Sequence, residues 1–531
     1  MTVELPFALH LSPPRTRAVV EAEANVEQSA GVAASLSLLQ WGILFAITAL
    51  ASGLRLWGLD DWSIWVDEGH TWRDVSVPLD QFFEQARRWY PTSYLMLRGL
   101  LELGVLPHAS EGLLRLPFAL CGIATIPLLA LYGRHLVGTG AALLAALYLA
   151  LDPWHLYWSQ NARAYALVVL FGMVAAGEFW LGRQQRSRRR TAFAFGWLAL
   201  AATCHPTSLV LLPSFVLVLV LDSRRCDGRR LVAMLLLIVG LLLVLEPLLL
   251  LLPPFRGFQD AKQDVAPSLM HWLQTTVFYF RLPLLCAAAC GACMVVRKRL
   301  EGPALHLLCW AAVPIVLFGV VGAGMVKVTA RYALIALPAV MLLAGVASMR
   351  LFELAASADR TRRLAFSLLL PVLLCGDFAS CDYLYLTVQC GDRGRWRDAS
   401  EYVQQAAGGA PCVVHTTHEP VLAYYLQPDR YRSEASAVAP DVFDLRSIET
   451  HDIAATANGA SDAGGRYVRS IIERARREQR VPFFLAALPE LAEKDADGTL
   501  RAALLLHCEL LLVLPLWIGP KDESIYIWRA R

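Results

Sequence analysis

Asp67 and Glu68 are the residues whose types and setting best suit chemistry. They lie in the stretch Trp57-Gly58-Leu59-Asp60-Asp61-Trp62-Ser63-Ile64-Trp65-Val66-Asp67-Glu68-Gly69-His70-Thr71, which follows directly on a long apolar run and holds four carboxylates and three tryptophans. Ionisable groups at a membrane face are expensive to hold and mark a site by default. A carboxylate there suits removal of a proton from an attacking hydroxyl, while the faces of Trp57, Trp62 and Trp65 shape an amphipathic slot for a sugar or lipid headgroup. A plainer description also fits: a helix N-cap beside an interfacial aromatic belt. Asp67, Glu68 and His70 are the candidates for a divalent cation, with Asp60 and Asp61 able to complete a cluster or simply to stay hydrated.

These residues must be positioned by a membrane bundle. With 531 residues, 56% of them hydrophobic, 18% charged, and a mean hydropathy of +0.46, the chain has too little polar surface to enclose itself as a soluble globule. A net charge of +3 gives no footprint for nucleic acid. Residues 1–35 read as a polar cytoplasmic tail and 36–57 as a first, uncleaved span. Further runs at 113–133, 139–158, 164–182, 191–204, 207–222, 231–252, 277–296, 304–325, 331–349 and 364–386 bring the total to about eleven spans. Basic clusters at 183–190, 224–230, 297–299 and 350–363 are each separated by two runs, so they share the cytoplasmic side and the 58–112 loop falls outside. Within that loop, 71–89 and 92–106 are expected as amphipathic helices on the outer surface.

The membrane part, 36–389, gives way to shorter apolar runs. Val413-Val414, Phe483–Ala486, Leu510–Leu514 and Ile525–Trp528 suggest strands, with helices at Trp396–Ala407 and Tyr467–Glu478. Residues 390–531 are thus expected as an external α/β domain, without a phosphate-binding glycine loop. A bridge among Cys390, Cys412 and Cys508 is left open. His415-Thr416-Thr417-His418-Glu419 ends a strand where acceptor recognition or an ordinary polar turn both fit, and Glu246 is an intramembrane acid.

Several motifs in order resemble those of GT-C glycosyltransferases of the protein O-mannosyltransferase and lipid A aminoarabinose transferase type. They are Arg55-Leu56-Trp57-Gly58-Leu59, Ser63 to Glu68, Leu114-Arg115-Leu116-Pro117, Tyr157 to Tyr165, Cys204-His205-Pro206-Thr207 and Ala330 to Pro338. The resemblance spans most of 36–350 and implies transfer of a hexosyl or pentosyl group from a polyprenyl-phosphate donor to a glycan, lipid or protein acceptor. It implies Asp67 as the catalytic carboxylate. The chain departs from the pattern at Tyr90, where a basic residue or His is usual before the proline, and at Asn161, where many members carry Glu.

A departing polyprenyl phosphate needs cations near the outer interface, and Arg163, Arg331, Lys327, Lys262 and Arg115 are the candidates. Snorkelling from helix ends is the plainer role for each. His205 is placed to hydrogen-bond donor or acceptor. The expectation is therefore an inverting, lipid-linked-sugar transferase of the inner membrane, with Asp67 as general base and Glu68 beside it. A transporter or flippase of lipid-linked saccharides is the alternative, although no internal repeat supports it.

Overall fold

The computed structural model describes residues 35–82, 91–105, 110–221, 268–298, 302–324, 328–355, 360–428, 441–444, 463–487, 491, 495, 498–518 and 521–531. Tyr90, Glu246, Lys262, Lys327 and the apolar run 231–252 lie outside these residues.

Ser37 starts the bundle with a reciprocal cap. Its hydroxyl accepts the Gln40 N–H, and the Gln40 side chain accepts the Ser37 N–H, so helix α1 begins at Leu38 and runs to Leu56. Two shorter helices follow, α2 (Val66–Ser76) and α3 (Thr92–Glu102). Next come α4 (Glu111–Val137), α5 (Thr139–Leu151), α6 (Pro153–Ser159), α7 (Tyr165–Gln184), α8 (Arg188–Cys204) and α9 (Leu211–Leu221). Further on are α10 (Leu269–Phe280), α11 (Leu282–Lys298), α12 (Pro303–Gly324), α13 (Leu337–Ala355) and α14 (Arg360–Tyr383). α7 is buried around nearly its whole circumference, whereas α1 and α14 turn Leu38, Leu39, Phe45, Phe366, Val372 and Leu373 outward, as lipid-facing helices do.

Among the described residues, six stretches are long and apolar enough to cross a membrane, or seven if α10 and α11 form one span. The hydropathy count of about eleven is therefore not reproduced. The run 139–158 is cut at Asp152, whose carboxylate accepts the His155 N–H and starts α6 with Pro153 in its first turn. Arg55 from α1 holds this break, donating to the carbonyls of Leu149 (3.0 Å) and Ala150 (2.9 Å) and contacting His155 Nδ1 at 2.7 Å. The run 277–296 is bent by 88° at Arg281, which has a positive φ of 59°. The run 191–204 lies in α8, which has 17 residues and spends its first turn on Arg188, Arg189 and Arg190.

Within 71–89 and 92–106, the described helices are the end of α2, a single turn at Leu79–Phe82 and all of α3. Arg98 joins them, since its Nη1 donates to the carbonyls of Val75 (2.9 Å) and Val77. α2 begins at Val66, earlier than the sequence suggests, and so contains Asp67 and Glu68 in its first turn, where carboxylates favour the helix dipole.

After the last long helix, α15 (Trp396–Ala407) precedes β1 (Cys412–Thr416), α16 (Glu419–Leu426), β2 (Asp441–Asp444), α17 (Ala463–Arg477), β3 (Val481–Ala487), α18 (Thr499–His507) and β4 (Cys508–Leu514). A small ribbon, β5 (Trp517–Ile518) with β6 (Lys521–Asp522), leads to β7 (Ile525–Ala530). The main sheet has the order β2-β1-β3-β7-β4, parallel across β2, β1 and β3 and antiparallel where β7 enters. Four strands cover the four runs named from sequence; β2, in the polar segment, is additional. Cys390, Cys412 and Cys508 are free.

Candidate functional site

The adjacent carboxylates have opposite surroundings. Glu68 is completely buried, and its Oε1 accepts from Arg115 Nε (2.9 Å) and the Ala162 N–H (2.9 Å). Oε2 accepts from Arg115 Nη2 (2.8 Å) and the Trp65 N–H (3.4 Å), with Arg393 Nε 3.4 Å away. Burial alone would raise the Glu68 pKa, but Arg115 and Arg393 outweigh it and hold it at about 2. Arg115 also donates to the carbonyls of Leu59, Trp62 and Ser63 at 2.8–3.0 Å, so one guanidinium fixes the loop and its acid together. Arg115 is thereby committed to the protein interior.

Asp67 keeps 27% of its side chain exposed. Arg163 Nε lies 3.9 Å from its Oδ2, and Arg163 Nη1 donates to the Asp67 carbonyl (3.5 Å) and to Thr71 Oγ1 (3.3 Å). Burial disfavours the Arg163 charge, but Asp67 together with Tyr94 and Tyr165 more than compensates, and the guanidinium pKa is raised above its ordinary value. Arg331 and Tyr165 lie within electrostatic reach of the same carboxylate. The Arg331 guanidinium sits over the ring of Tyr332, 5.2 Å from its centroid. His205 is sandwiched between Tyr165 (5.7 Å) and Tyr332 (5.9 Å). Its Nδ1 lies 2.8 Å from Thr207 Oγ1 and 3.4 Å from the Thr207 nitrogen, and burial with the nearby Arg163 and Arg331 lowers its pKa to about 3. Asp67, two arginines and a histidine thus share one region.

Trp65 donates its indole N–H to Asn161 Oδ1 (3.1 Å) and packs near Tyr157 (6.4 Å). Asn161 accordingly acts as a neutral acceptor for the loop tryptophan. Gln160 donates through Nε2 to the carbonyls of Leu54 and Trp57, so residues 160–163 each meet the 54–71 segment. The metal candidates do not fit a shared ion. The Glu68 oxygens face two guanidiniums and two backbone N–H groups, and among the described residues no three His, Cys, Asp or Glu side chains converge to hold a metal. Asp60 instead accepts the Gly112 N–H at 2.6 Å, near the start of α4. His418 stacks on Trp396 at 4.5 Å, and the strand end 415–419 is packed into its own domain.

Sequence reasoning missed Arg393 and Arg397. Arg393 is buried beside Glu68 and donates to the Gln160 carbonyl (2.6 Å) and the Gly391 carbonyl (2.7 Å). Arg397 donates from Nε to Glu111 (3.0 Å) and from Nη2 to the Asp60 carbonyl (2.7 Å), and its N–H reaches Ser63 Oγ (2.9 Å). Tyr425 from α16 donates to the same Glu111 and accepts the Ile64 N–H, both at 2.8 Å. A Cβ at Gly69 would stand 3.0 Å from the Val421 nitrogen, so only glycine lets α2 approach α16 this closely. The cluster Arg393-Gly394-Arg395-Trp396-Arg397, directly after the last apolar run, is the signal that marks this junction.

Residues 91–250 match the family model described as dolichyl-phosphate-mannose-protein mannosyltransferase. The apo oligosaccharyltransferase of Archaeoglobus fulgidus is similar over 89% of this chain and 73% of its own, with a TM-score of 0.57 and 13% identity. AglB of the same organism, solved with an inhibitory peptide and a dolichol-phosphate, gives 92%, 74%, 0.55 and 13%. ArnT from Cupriavidus metallidurans bound to undecaprenyl phosphate gives 93%, 98%, 0.51 and 15%. No curated protein matches the sequence. The chain is an integral membrane protein of GT-C fold, and the resemblance carried by its motifs extends to its architecture.

Proposed function

We propose that this protein transfers a sugar from a polyprenyl-phosphate carrier to an acceptor hydroxyl at the outer face of a cell's inner membrane. Asp67 takes the hydroxyl proton as the acceptor oxygen attacks the anomeric carbon. The bond from that carbon to the carrier oxygen breaks, and the polyprenyl phosphate leaves with the electron pair. Arg163 and Arg331 take up the charge on the phosphate, with Lys327 and Lys262 as further candidates outside the described residues. One base and one cationic site suffice for a single displacement, so the anomeric centre is inverted. Undecaprenyl phosphate on ArnT and dolichol-phosphate on AglB supply the analogy for the donor. The charge pattern puts residues 1–35 in the cytoplasm and the α/β domain outside.

The observation that carries this reading is the contrast between neighbours: Asp67 is open beside Arg163, whereas Glu68 is sealed between Arg115 and Arg393. Glu68 is therefore assigned to holding the loop, and Asp67 alone to the proton. The test is Asp67→Asn assayed for transfer of radiolabelled sugar from polyprenyl-phosphate donor in membranes. Insertion should be normal and transfer should fall by about 10²–10⁴-fold. Full activity would remove Asp67 from the mechanism.

A further inference from the structure

At the opposite end of α7 from Asp67 and Arg163 lies a second site of different character. α7 runs from Tyr165 to Gln184, which at about 1.5 Å per residue separates the two ends by roughly 30 Å, the thickness of a bilayer core. There a groove of about 650 Å³ opens between α7 and α8. Ser187, Arg189 and Arg190 line its mouth, and Phe193, Trp197 and Leu200 line its length. The last five fall on one face of α8 at helical spacing, with the charges at one end and the apolar side chains below them.

The arginines are held in distinct ways. Arg190 Nη1 donates to both oxygens of Glu178 at 3.0 Å, and Tyr132 donates to the same carboxylate at 2.8 Å, which fixes the groove's inner wall. Arg189 lies over the Phe193 ring, 5.4 Å from its centroid, and Phe193 is itself 49% exposed. Trp197 stacks on Phe171 at 5.5 Å, giving the lower wall a rigid aromatic side. A Cβ on Gly196 would meet nothing within 4 Å, so the floor between these rings is open.

We infer that this groove binds an anionic phospholipid of the leaflet opposite the Asp67 face, its phosphate at Arg189 and its acyl chain along Phe193, Trp197 and Leu200. A free phosphate would satisfy the arginine but leave the apolar wall uncovered. A zwitterionic lipid would cover the wall but bring a cation to an already basic mouth. Juxtamembrane arginines attract anionic lipid through just this pairing.

The test is native mass spectrometry of the full-length protein in detergent after titration with phosphatidylglycerol, phosphatidylcholine or inorganic phosphate. Wild type should retain phosphatidylglycerol preferentially. Arg189→Gln should weaken that retention by about fivefold, and Phe193→Ala should weaken it independently. Arg186→Gln, in the same basic turn but outside the groove, should leave it unchanged. Equal retention of phosphatidylcholine, displacement of lipid by phosphate, or an unchanged profile in both groove variants would overturn the assignment. Sugar transfer by Arg189→Gln in detergent should match wild type, which separates failure of this site from failure of the Asp67 reading.

Discussion

Replacing Glu68 by Gln is the sharpest structural test of the site. The amide keeps the shape of the side chain but removes the negative charge facing Arg115 and Arg393, both buried. It also puts an N–H₂ where one carboxylate oxygen had accepted from Arg115 or from Trp65. Depriving a buried charge of its partner costs about 3–5 kcal/mol. The depression of the Glu68 pKa from 4.5 to about 2 gives a consistent figure, about 3 kcal/mol. Because the folded pKa is the lower, this stabilisation is complete above pH 4.5 and disappears as the pH falls toward 2. With an unfolding entropy of about 2.1 cal/mol/K per residue, a chain of 531 residues unfolding as one unit would lose about 3–5 °C of Tm at pH 7. The assay is tryptophan-fluorescence melting in detergent, with Asp67→Asn alongside. Glu68→Gln should melt lower and Asp67→Asn within about a degree of wild type. Equal melting of Glu68→Gln and wild type, or a larger loss in Asp67→Asn, would refute the division of roles.

Three further outcomes follow from the same contacts. Arg163→Lys keeps a charge but loses the planar fork, so transfer should fall by about tenfold or more with little change in Tm; wild-type turnover would argue against a phosphate contact. Because the His205 pKa is lowered to about 3, the unfolded chain binds the extra proton between pH 6.5 and 3, and stability should decline as the pH falls through that window. The Tm drop between pH 7.5 and 5 should therefore be about 1–2 °C smaller in His205→Gln than in wild type, read by the same melts. Arg397→Ala removes the guanidinium from the buried Glu111 while Tyr425 still donates to it, at a cost of about 1–3 kcal/mol, and limited proteolysis should release the α/β domain sooner.

The sequence showed the motifs without showing what they meet. Arg55, Arg115, Gln160, Asn161 and Arg163 were legible as a series because each is a polar residue beside an apolar run. The last four meet backbone carbonyls and side chains of the 54–71 segment, and Arg55, from that segment, meets the carbonyls of Leu149 and Ala150; all are distant in the chain, and no local spacing reports such contacts. The described residues give fewer spans than hydropathy for a related reason. Hydropathy sums along the chain, whereas the breaks at Asp152 and Arg281 depend on a cap and a single positive φ. β2 escaped notice because Asp441–Asp444 lacks the apolar run that marks a strand, and it is its parallel pairing with β1 that makes it one.

The separation of Asp67 from Glu68 turns on where α2 begins. Read as loop residues ahead of a helix, two neighbouring acids are equivalent, and either suits a proton. Once the helix starts at Val66, consecutive side chains leave its axis about 100° apart, so the two acids meet different surroundings and one of them is wholly buried. The approach of Gly69 to α16, with Arg115 and Arg393 on the inner side, fixes Glu68 as that one. Asp67, one residue earlier, keeps 27% of its side chain exposed. Glu68 also accepts the Trp65 N–H at 3.4 Å, which ties that acid back to the residue before α2, so the role proposed for Asp67 rests on where the helix starts as well as on its own contacts.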